Sequence, residues 1–320
     1  MEKSSRRTAL YIIPWTSLLG GFLLGALSGE GSEIVGAWLL LFSALLFGLP
    51  HGAYDFWILF DSTRRERRSF RALFGMLATY LTLALVVVVV WYFLPGTVLI
   101  GFLALTAWHF GSGDAIWETE NQSDWFINSL GRGLLVMSAP LAFYQLESGA
   151  VLAKLDAHSA EILLAIAPYT LTVGIALIVF NNFAAFFRNS KIPFTNRLLT
   201  LSEALLLLTF FRLTTPLLAV TVYLIGVHSW RHLLRLELYE QSEQVFNRQN
   251  LWQLIARFHH RALPVTLVSL VGLVLIFWLL KLRLLDFANY TSAYLVLLSA
   301  LTLPHAALIT WTELKRRKMS

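Results

Sequence analysis

The sequence predicts an all-α, polytopic integral membrane helical bundle of about ten transmembrane helices, with both termini cytoplasmic. Three observations predict it. Apolar runs near the length of a membrane span recur along the whole chain. Only 14% of the 320 residues are charged against 57% hydrophobic, where a soluble domain carries about 25% charged residues. Arginine and lysine gather in short clusters between alternate apolar runs, the positive-inside pattern of membrane loops. So few charges cannot cover a water-exposed surface, whereas a bilayer needs no such cover.

Taken in order, the apolar runs fall at 10–28, 34–60, 72–94, 97–112, 129–146, 160–187, 198–213, 216–236, 263–280 and 290–312. Several reach the ~20 residues needed to cross about 30 Å of hydrocarbon; those at 97–112 and 198–213 are shorter. The opening MEKSSRR and the run after it read as the first helix and its cytoplasmic flank rather than a signal peptide, because so many spans follow. Segment 239–261 is polar and amphipathic, with Trp252, Leu254, Ile255 and Phe258 among Gln and Arg, and is expected to lie on the membrane surface. No repeat, low-complexity tract or long linker divides the chain, so residues 1–320 are expected to form a single transmembrane domain.

Orientation follows from the basic clusters. These are Lys3, Arg6 and Arg7; Arg64, Arg65, Arg67, Arg68 and Arg71; Arg188, Lys191 and Arg197; Arg235, Arg248, Arg257 and Arg261; and Lys315, Arg316, Arg317 and Lys318. With ten spans they all fall on one side. The loop 113–128 dissents, with Asp114, Glu118, Glu120 and Asp124, but acids count little in this rule. The same clusters account for the net charge of +6 without nucleic acid as a partner.

The absence of cysteine excludes disulfides, thiolate metal sites and a thiol nucleophile. A metal would have to be held by histidines and carboxylates. No lysine lies mid-span, which excludes a retinal Schiff base of the rhodopsin kind.

Eight histidines remain. His158 falls in an outer loop, and His259 and His260 fall in the interfacial segment. The other five, His51, His109, His228, His232 and His305, sit inside apolar runs, where ionisable groups are costly and normally functional. In the derived topology each lies in the second half of an outside-to-inside helix, so all five share one layer in the cytoplasmic half of the membrane. His228 and His232 form an H-x-x-x-H pair, which places two imidazoles on one helical face. Imidazole suits iron, copper, zinc and nickel alike. His51 and His305 each follow a proline, a packing kink or a device that aims the ring. Asp55 shares a helical face with His51, Asp114 follows His109, and Glu203 is set within an apolar run with Arg132 as a possible partner. Such acids can accept the second N–H of a metal-bound imidazole.

The motifs GLPHGAYD at 48–55, AWHFGSGD at 107–114, HSWRH at 228–232 and LPHAAL at 303–308 resemble the Brp/Blh family of bacterial and archaeal membrane β-carotene 15,15'-dioxygenases. The resemblance runs over nearly the whole chain. It implies cleavage of the central double bond of β-carotene by O₂ at a non-haem Fe(2+), giving two retinal molecules, in the plasma membrane of a prokaryote. It implies iron ligands His51, His109, His228 and His232. His305, a fifth imidazole at the same level, is expected in the cavity wall rather than as an obligatory ligand. Asp55, Asp114 and Glu203 are expected to support the site. The substrate is bilayer-soluble, so an embedded enzyme meets it directly. The alternatives are a membrane di-iron hydroxylase or desaturase, for which one H-x-x-x-H pair is few, and a non-enzymatic haem- or metal-binding membrane protein.

The topology makes a direct prediction. Reporter fusions at residues 66 and 190 are expected to report cytoplasm and a fusion near residue 155 the opposite side; a reversed pattern moves the histidine layer to the other leaflet.

Overall fold

In the computed structural model the structure describes residues 8–65, 70–115, 122–187, 194–240, 250–281 and 290–319, and among them no strand occurs. A π turn at Thr8–Ile12 leads into α1 (Ile13–Ser28), and α2 (Ser32–Ser43) returns after a tight reversal. That reversal turns at Gly29, whose φ of +52° suits a residue without a side chain. A second π stretch, Ala44–Gly48, joins α2 to α3 (Leu49–Arg65). Then come α4 (Phe70–Phe93), α5 (Pro95–Ala115), α6 (Gln122–Phe143), the short α7 (Gln145–Leu152), α8 (Ala157–Phe187) and α9 (Phe194–Leu213). The α10 helix (Pro216–Tyr223) passes through a third π stretch, Leu224–Ser229, into α11 (Trp230–Glu240). The chain closes with α12 (Leu251–Lys281) and α13 (Tyr290–Met319).

All ten apolar runs are helical over most of their length, but seven stretches among the described residues are long and apolar enough to cross a membrane. They are Ala9–Leu40, Phe70–Phe93, Gln122–Phe143, Ala157–Ala184, Phe194–Leu213, Pro216–Glu237 and Leu295–Lys315. The described residues thus show an all-helical bundle with seven candidate spans. The α1–α2 hairpin forms one apolar stretch, α3 is only 17 residues long and carries His51 and Asp55, and α5 ends in the polar HFGSGDA. The α12 helix carries Arg257, His259, His260 and Arg261 in its first half. The described part of the predicted interfacial segment is continuous with that helix: Leu254, Phe258 and Ala262 pack inward while Trp252 stays exposed.

The outer surface carries large exposed apolar side chains such as Leu27, Val86, Phe180 and Val268, while Arg132, Glu203 and Arg231 are buried. That is the inverse of a soluble fold and fits a lipid surround. On the interior, a large apolar cluster joins Leu18, Leu135, Ile178, Leu207, Phe211, Leu218 and Tyr223 from α1, α6, α8, α9 and α10. A second joins Tyr54, Trp230, Leu233, Leu254 and Phe258 from α3, α11 and α12. Away from the histidine layer, Asp156 caps α8. Hydrogen bonds from the Ser159 hydroxyl and N–H, the latter 2.8 Å long, hold its carboxyl below the usual carboxylate range.

Small residues set how closely the central helices approach. The α6 helix packs most extensively against α5 and α8. A Cβ on Gly111 of α5 would run into the Ser129 carbonyl oxygen of α6, and one on Gly133 of α6 would run into the Ala107 carbonyl oxygen of α5. On the other side a Cβ on Gly174 of α8 would stand 2.9 Å from the Gly131 oxygen. Backbone-to-backbone contact of this kind is how membrane helices associate without a hydrophobic drive. It also fixes the position of His109, two residues before Gly111.

The consequence is measurable by thermal unfolding in detergent. Gly111→Ala and Gly133→Ala are expected to lower Tm sharply, because backbone must move. Gly101→Ala in the same helix α5 meets nothing within 4 Å and is expected to be neutral or to gain up to ~1 kcal/mol of helix propensity. Equal tolerance of all three would refute the close-approach account.

Candidate metal centre

Each imidazole reaches the interior from a different irregularity in a helix. His51 is the third residue of α3, just after a π stretch, and Pro50 before it brings no N–H to the continuous helix; the Leu46 carbonyl four residues upstream meets His259 Nε2 at 2.8 Å instead. His228 belongs to the third π stretch and His232 to α11 beyond it. π bulges inside α-helices concentrate at functional sites because they turn a side chain off the regular face. His109 is held by the close α5–α6 contact, and His305 follows Pro304 inside α13. Four helical segments distant in sequence thus bring five imidazoles to one buried point, each at most 9% exposed.

The nitrogens converge. His228 Nε2 stands 3.3 Å from His109 Nε2, and His51 Nε2 stands 2.9 Å from His305 Nε2. The His51 and His232 rings stack with centroids 3.7 Å apart. Two triads, His51–His109–His228 and His51–His232–His305, each place ligand atoms within 4.8 Å of one another. They share His51, so they describe one centre. Nitrogens bound to one metal at about 2.0–2.1 Å stand about 2.9–3.4 Å apart, the spacing of both Nε2 pairs. Nδ1 of His109, Nδ1 of His228 and Nε2 of His232 are buried without a hydrogen-bond partner, a cost that packed interiors normally avoid. A donor set of neutral imidazoles with such orphaned nitrogens fits a first-row divalent metal. His232 fits with one condition. Arg235 donates to its Nδ1 at 2.9 Å, which places the neutral ring's proton on Nε2. Ligation through Nε2 requires that proton to leave or the Arg235 bond to turn away.

The carboxylates divide into two groups. Asp55 reaches across to α13 rather than to its helix neighbour His51: His305 Nδ1 lies 2.8 and 2.9 Å from its two oxygens, and Tyr80 of α4 donates to Oδ2 at 2.8 Å. Asp55 thereby holds the proton on His305 Nδ1 and leaves the Nε2 lone pair facing the cluster. Glu203 and Asp114 bond to no imidazole among the described residues. Glu203 Oε1 accepts from Arg132 and Arg231, both at 2.7 Å, and its Oε2 accepts from Arg231 at 2.6 Å and Trp15 at 3.1 Å. Asp114 accepts the Tyr223 hydroxyl at 2.7 Å and stands 3.7 Å from Arg231. Their route to the site is therefore Arg231, which lies between His228 and His232 in the chain and also donates to the Leu10 carbonyl.

The remaining histidines stay apart. His158 and His260 are exposed, and His259 lies against the Leu46 and Ile255 carbonyls. Sequence reasoning counted Arg235 among the cytoplasmic charges; the structure buries it, 2% exposed, against His232. It also passed over Arg231, Tyr80 and Tyr223. An arginine well inside an apolar run, as Arg231 is in 216–236, is itself a costly feature, and the Arg of HSWRH carried that signal.

The fold and this centre define a multi-span helical membrane protein with a buried all-imidazole site suited to a metal. Comparison with known proteins makes the assignment specific. The family model described as Beta-carotene 15,15'-dioxygenase matches residues 42–313. The chain is 30% identical over 298 residues to the probable beta-carotene 15,15'-dioxygenase Blh of Halobacterium salinarum, covering 86% of this chain and 83% of that protein. It is 40% identical over 77 residues to the beta-carotene 15,15'-dioxygenase of an uncultured marine bacterium, 66A03, covering 24% of this chain and 28% of that one. No solved structure matches. The chain belongs to the beta-carotene 15,15'-dioxygenase family.

The two groups of acids separate in experiment. Asp55→Asn is expected to weaken metal affinity or activity about 10–100-fold while the fold persists. Glu203→Ala strands two buried guanidiniums and is expected to cost about 3–5 kcal/mol of stability, read as lost folded protein in detergent. Full metal affinity and activity in Asp55→Asn would remove the carboxylate–imidazole role.

Proposed function

We propose that this protein cleaves the central 15,15' double bond of β-carotene with O₂ at a non-haem Fe(2+), giving two molecules of retinal. The observation that carries the reading is the convergence of five buried imidazoles in a chain of this family. The reaction balances without an added reductant. The two carbons of one C=C each become a carbonyl carbon, and the two oxygen atoms of O₂ are reduced to the two carbonyl oxygens.

His51, His109, His228 and His232 would hold the iron, which when bound supplies the activation of O₂. The chain's own residues prepare that chemistry. Four imidazoles, His232 being neutral once Arg235 turns from its Nδ1, would leave the ion's positive charge undiminished, which favours negative charge developing on oxygen. Asp55 fixes His305 with a bare Nε2 toward the cluster, where it accepts a hydrogen bond or orients a small ligand without being an obligatory ligand itself. Asp114 and Glu203 act as positioning residues, through Arg231, on the segment bearing His228 and His232. Phe110 supplies an apolar wall: its ring centroid lies 4.3 Å from that of His228 and 5.6 Å from that of Tyr223. A hydrocarbon polyene partitions into the bilayer and needs such a surface rather than polar recognition. The exposed apolar belt supports a lipid partner, and the basic clusters support a plasma-membrane protein with both termini cytoplasmic.

The test combines metal analysis with chromatography of products from added β-carotene. Wild type is expected to hold about one iron and to form retinal. His228→Ala and His232→Ala are expected to lose most of the metal and the activity. His305→Ala is expected to retain iron near wild-type stoichiometry while cleaving more slowly. Full iron and activity in both H-x-x-x-H variants would sink the ligand assignment, and loss of iron in His305→Ala would add it to the ligand set.

A further inference from the structure

His51 is the ring that both histidine triads share, so its direction matters to each. Its Nε2 stands 2.9 Å from His305 Nε2, and its ring stacks on His232 with centroids 3.7 Å apart. The backbone that carries it is irregular. The π stretch Ala44–Gly48 runs into α3, and Pro50 brings no N–H to the helix. The α-helical donor to the Leu46 carbonyl would be the N–H of residue 50. The sequence removes that donor one residue before His51.

A histidine from another helix stands at that carbonyl. His259 of α12 places Nε2 2.8 Å from the Leu46 oxygen. Its ring also meets Phe47 edge to face, with centroids 6.1 Å apart and an interplanar angle of 77°. Leu46 and Phe42 are exposed on the apolar outer surface, where lipid offers a carbonyl no donor. The other ring nitrogen, Nδ1, lies 2.9 Å from the Ile255 carbonyl. That oxygen has the backbone N–H of residue 259 as its helical donor. The one proton of the neutral ring therefore belongs on Nε2, whose acceptor has lost its own donor.

The same helix grips α3 beyond His51. Tyr54 stacks on Phe258 with centroids 5.0 Å apart, and the Trp57 indole donates to the Arg261 carbonyl at 2.8 Å. His51 thus lies between two points at which α12 holds its chain: Leu46 and Phe47 before it, Tyr54 and Trp57 after it. With the second point alone, the prolyl break leaves the segment free to pivot, and His51 moves with it.

We propose that His259 is a positioning residue of the histidine centre: its Nε2–H replaces the N–H that Pro50 lacks and so fixes the direction from which His51 enters. It acts through the backbone of residues 46–51 and bonds to no imidazole of the centre among the described residues. Its effect on a metal rests on the proposed metal reading, whereas its hold on the Leu46 carbonyl stands without it.

The experiment uses the full-length protein in detergent, with cobalt(II) as the probe of the histidines and hydrogen exchange read on the peptide 44–52. His259→Phe keeps a ring against Phe47 and loses the donor, and His259→Gln restores a neutral N–H. His259→Phe is expected to weaken cobalt(II) binding about 10–100-fold and to shift its visible bands. It is also expected to speed exchange in 44–52 about tenfold. His259→Gln is expected to return all three toward wild type, which loss of ring packing does not predict. Unchanged cobalt(II) affinity and spectrum in His259→Phe would overturn the proposal, as would a Gln variant as impaired as the Phe one. Should His259→Phe fail to fold, adding Pro50→Ala, which returns an N–H to residue 50, is expected to recover folding; a double variant that folds no better overturns the proposal. If wild type takes up no cobalt(II), faster exchange in His259→Phe leaves the carbonyl cap standing and counts against the metal reading alone, whereas unchanged exchange sinks both.

Discussion

The bundle is organised around one carboxylate that cannot be left alone. Glu203 is fully buried in the middle of α9, where an unpaired charge is expensive and the usual escape into water is closed. Two guanidiniums and an indole N–H satisfy it, and each comes from a different helix: Arg132 from α6, Arg231 from α11 and Trp15 from α1. Meeting that requirement brings four helices to one place. Arg231 then has donors left over, which it spends on the Leu10 carbonyl, and stands beside Asp114 of α5. The histidine pair is carried along, because Arg231 is the residue between them. In that sense the metal centre is a consequence of an ion network beside it.

Much of this was readable beforehand, and the reasons are specific. Ionisable residues in apolar runs are rare and costly, so the five histidines and Glu203 announced themselves by location alone. The common depth of His51, His109, His228, His232 and His305 followed from span order and basic loops, and the structure does gather all five. The pairing of Glu203 with Arg132 was legible because each needs a partner in the same medium. What stayed hidden depends on local backbone. The π stretches at Ala44–Gly48 and Leu224–Ser229 leave no simple mark in residue order, and they decide where His51 and His228 point. The imidazole partner of Asp55 was hidden too: helical spacing put the acid with His51, while the packing of α13 gave it the His305 N–H.

Hydropathy itself has a limit of the same kind. Hydropathy locates helices well, since every backbone group in lipid must be satisfied internally. It scores poorly a helix that lines a polar interior, because the polar residues that α3 and α5 bring to the site also lower their apolar score. His51 and Asp55 on α3, and His109 and Asp114 on α5, are the positions that break the pattern. The deviations from an ideal membrane helix and the functional residues are the same residues.

This arrangement reconciles a hydrocarbon substrate with a charged interior. The outer surface and the Phe110 wall against His228 are both apolar. The ions lie on the opposite side of those histidines in terms of bonding: Arg231 and its acids hold the backbone of α11, Asp55 holds His305 at Nδ1, and Arg235 meets His232 at Nδ1. Each polar group addresses the rear nitrogen of a ring or the helix that bears it. The charge therefore sets the electrostatic potential and orientation of the imidazoles from behind, while their front faces stand together beside the aromatic wall.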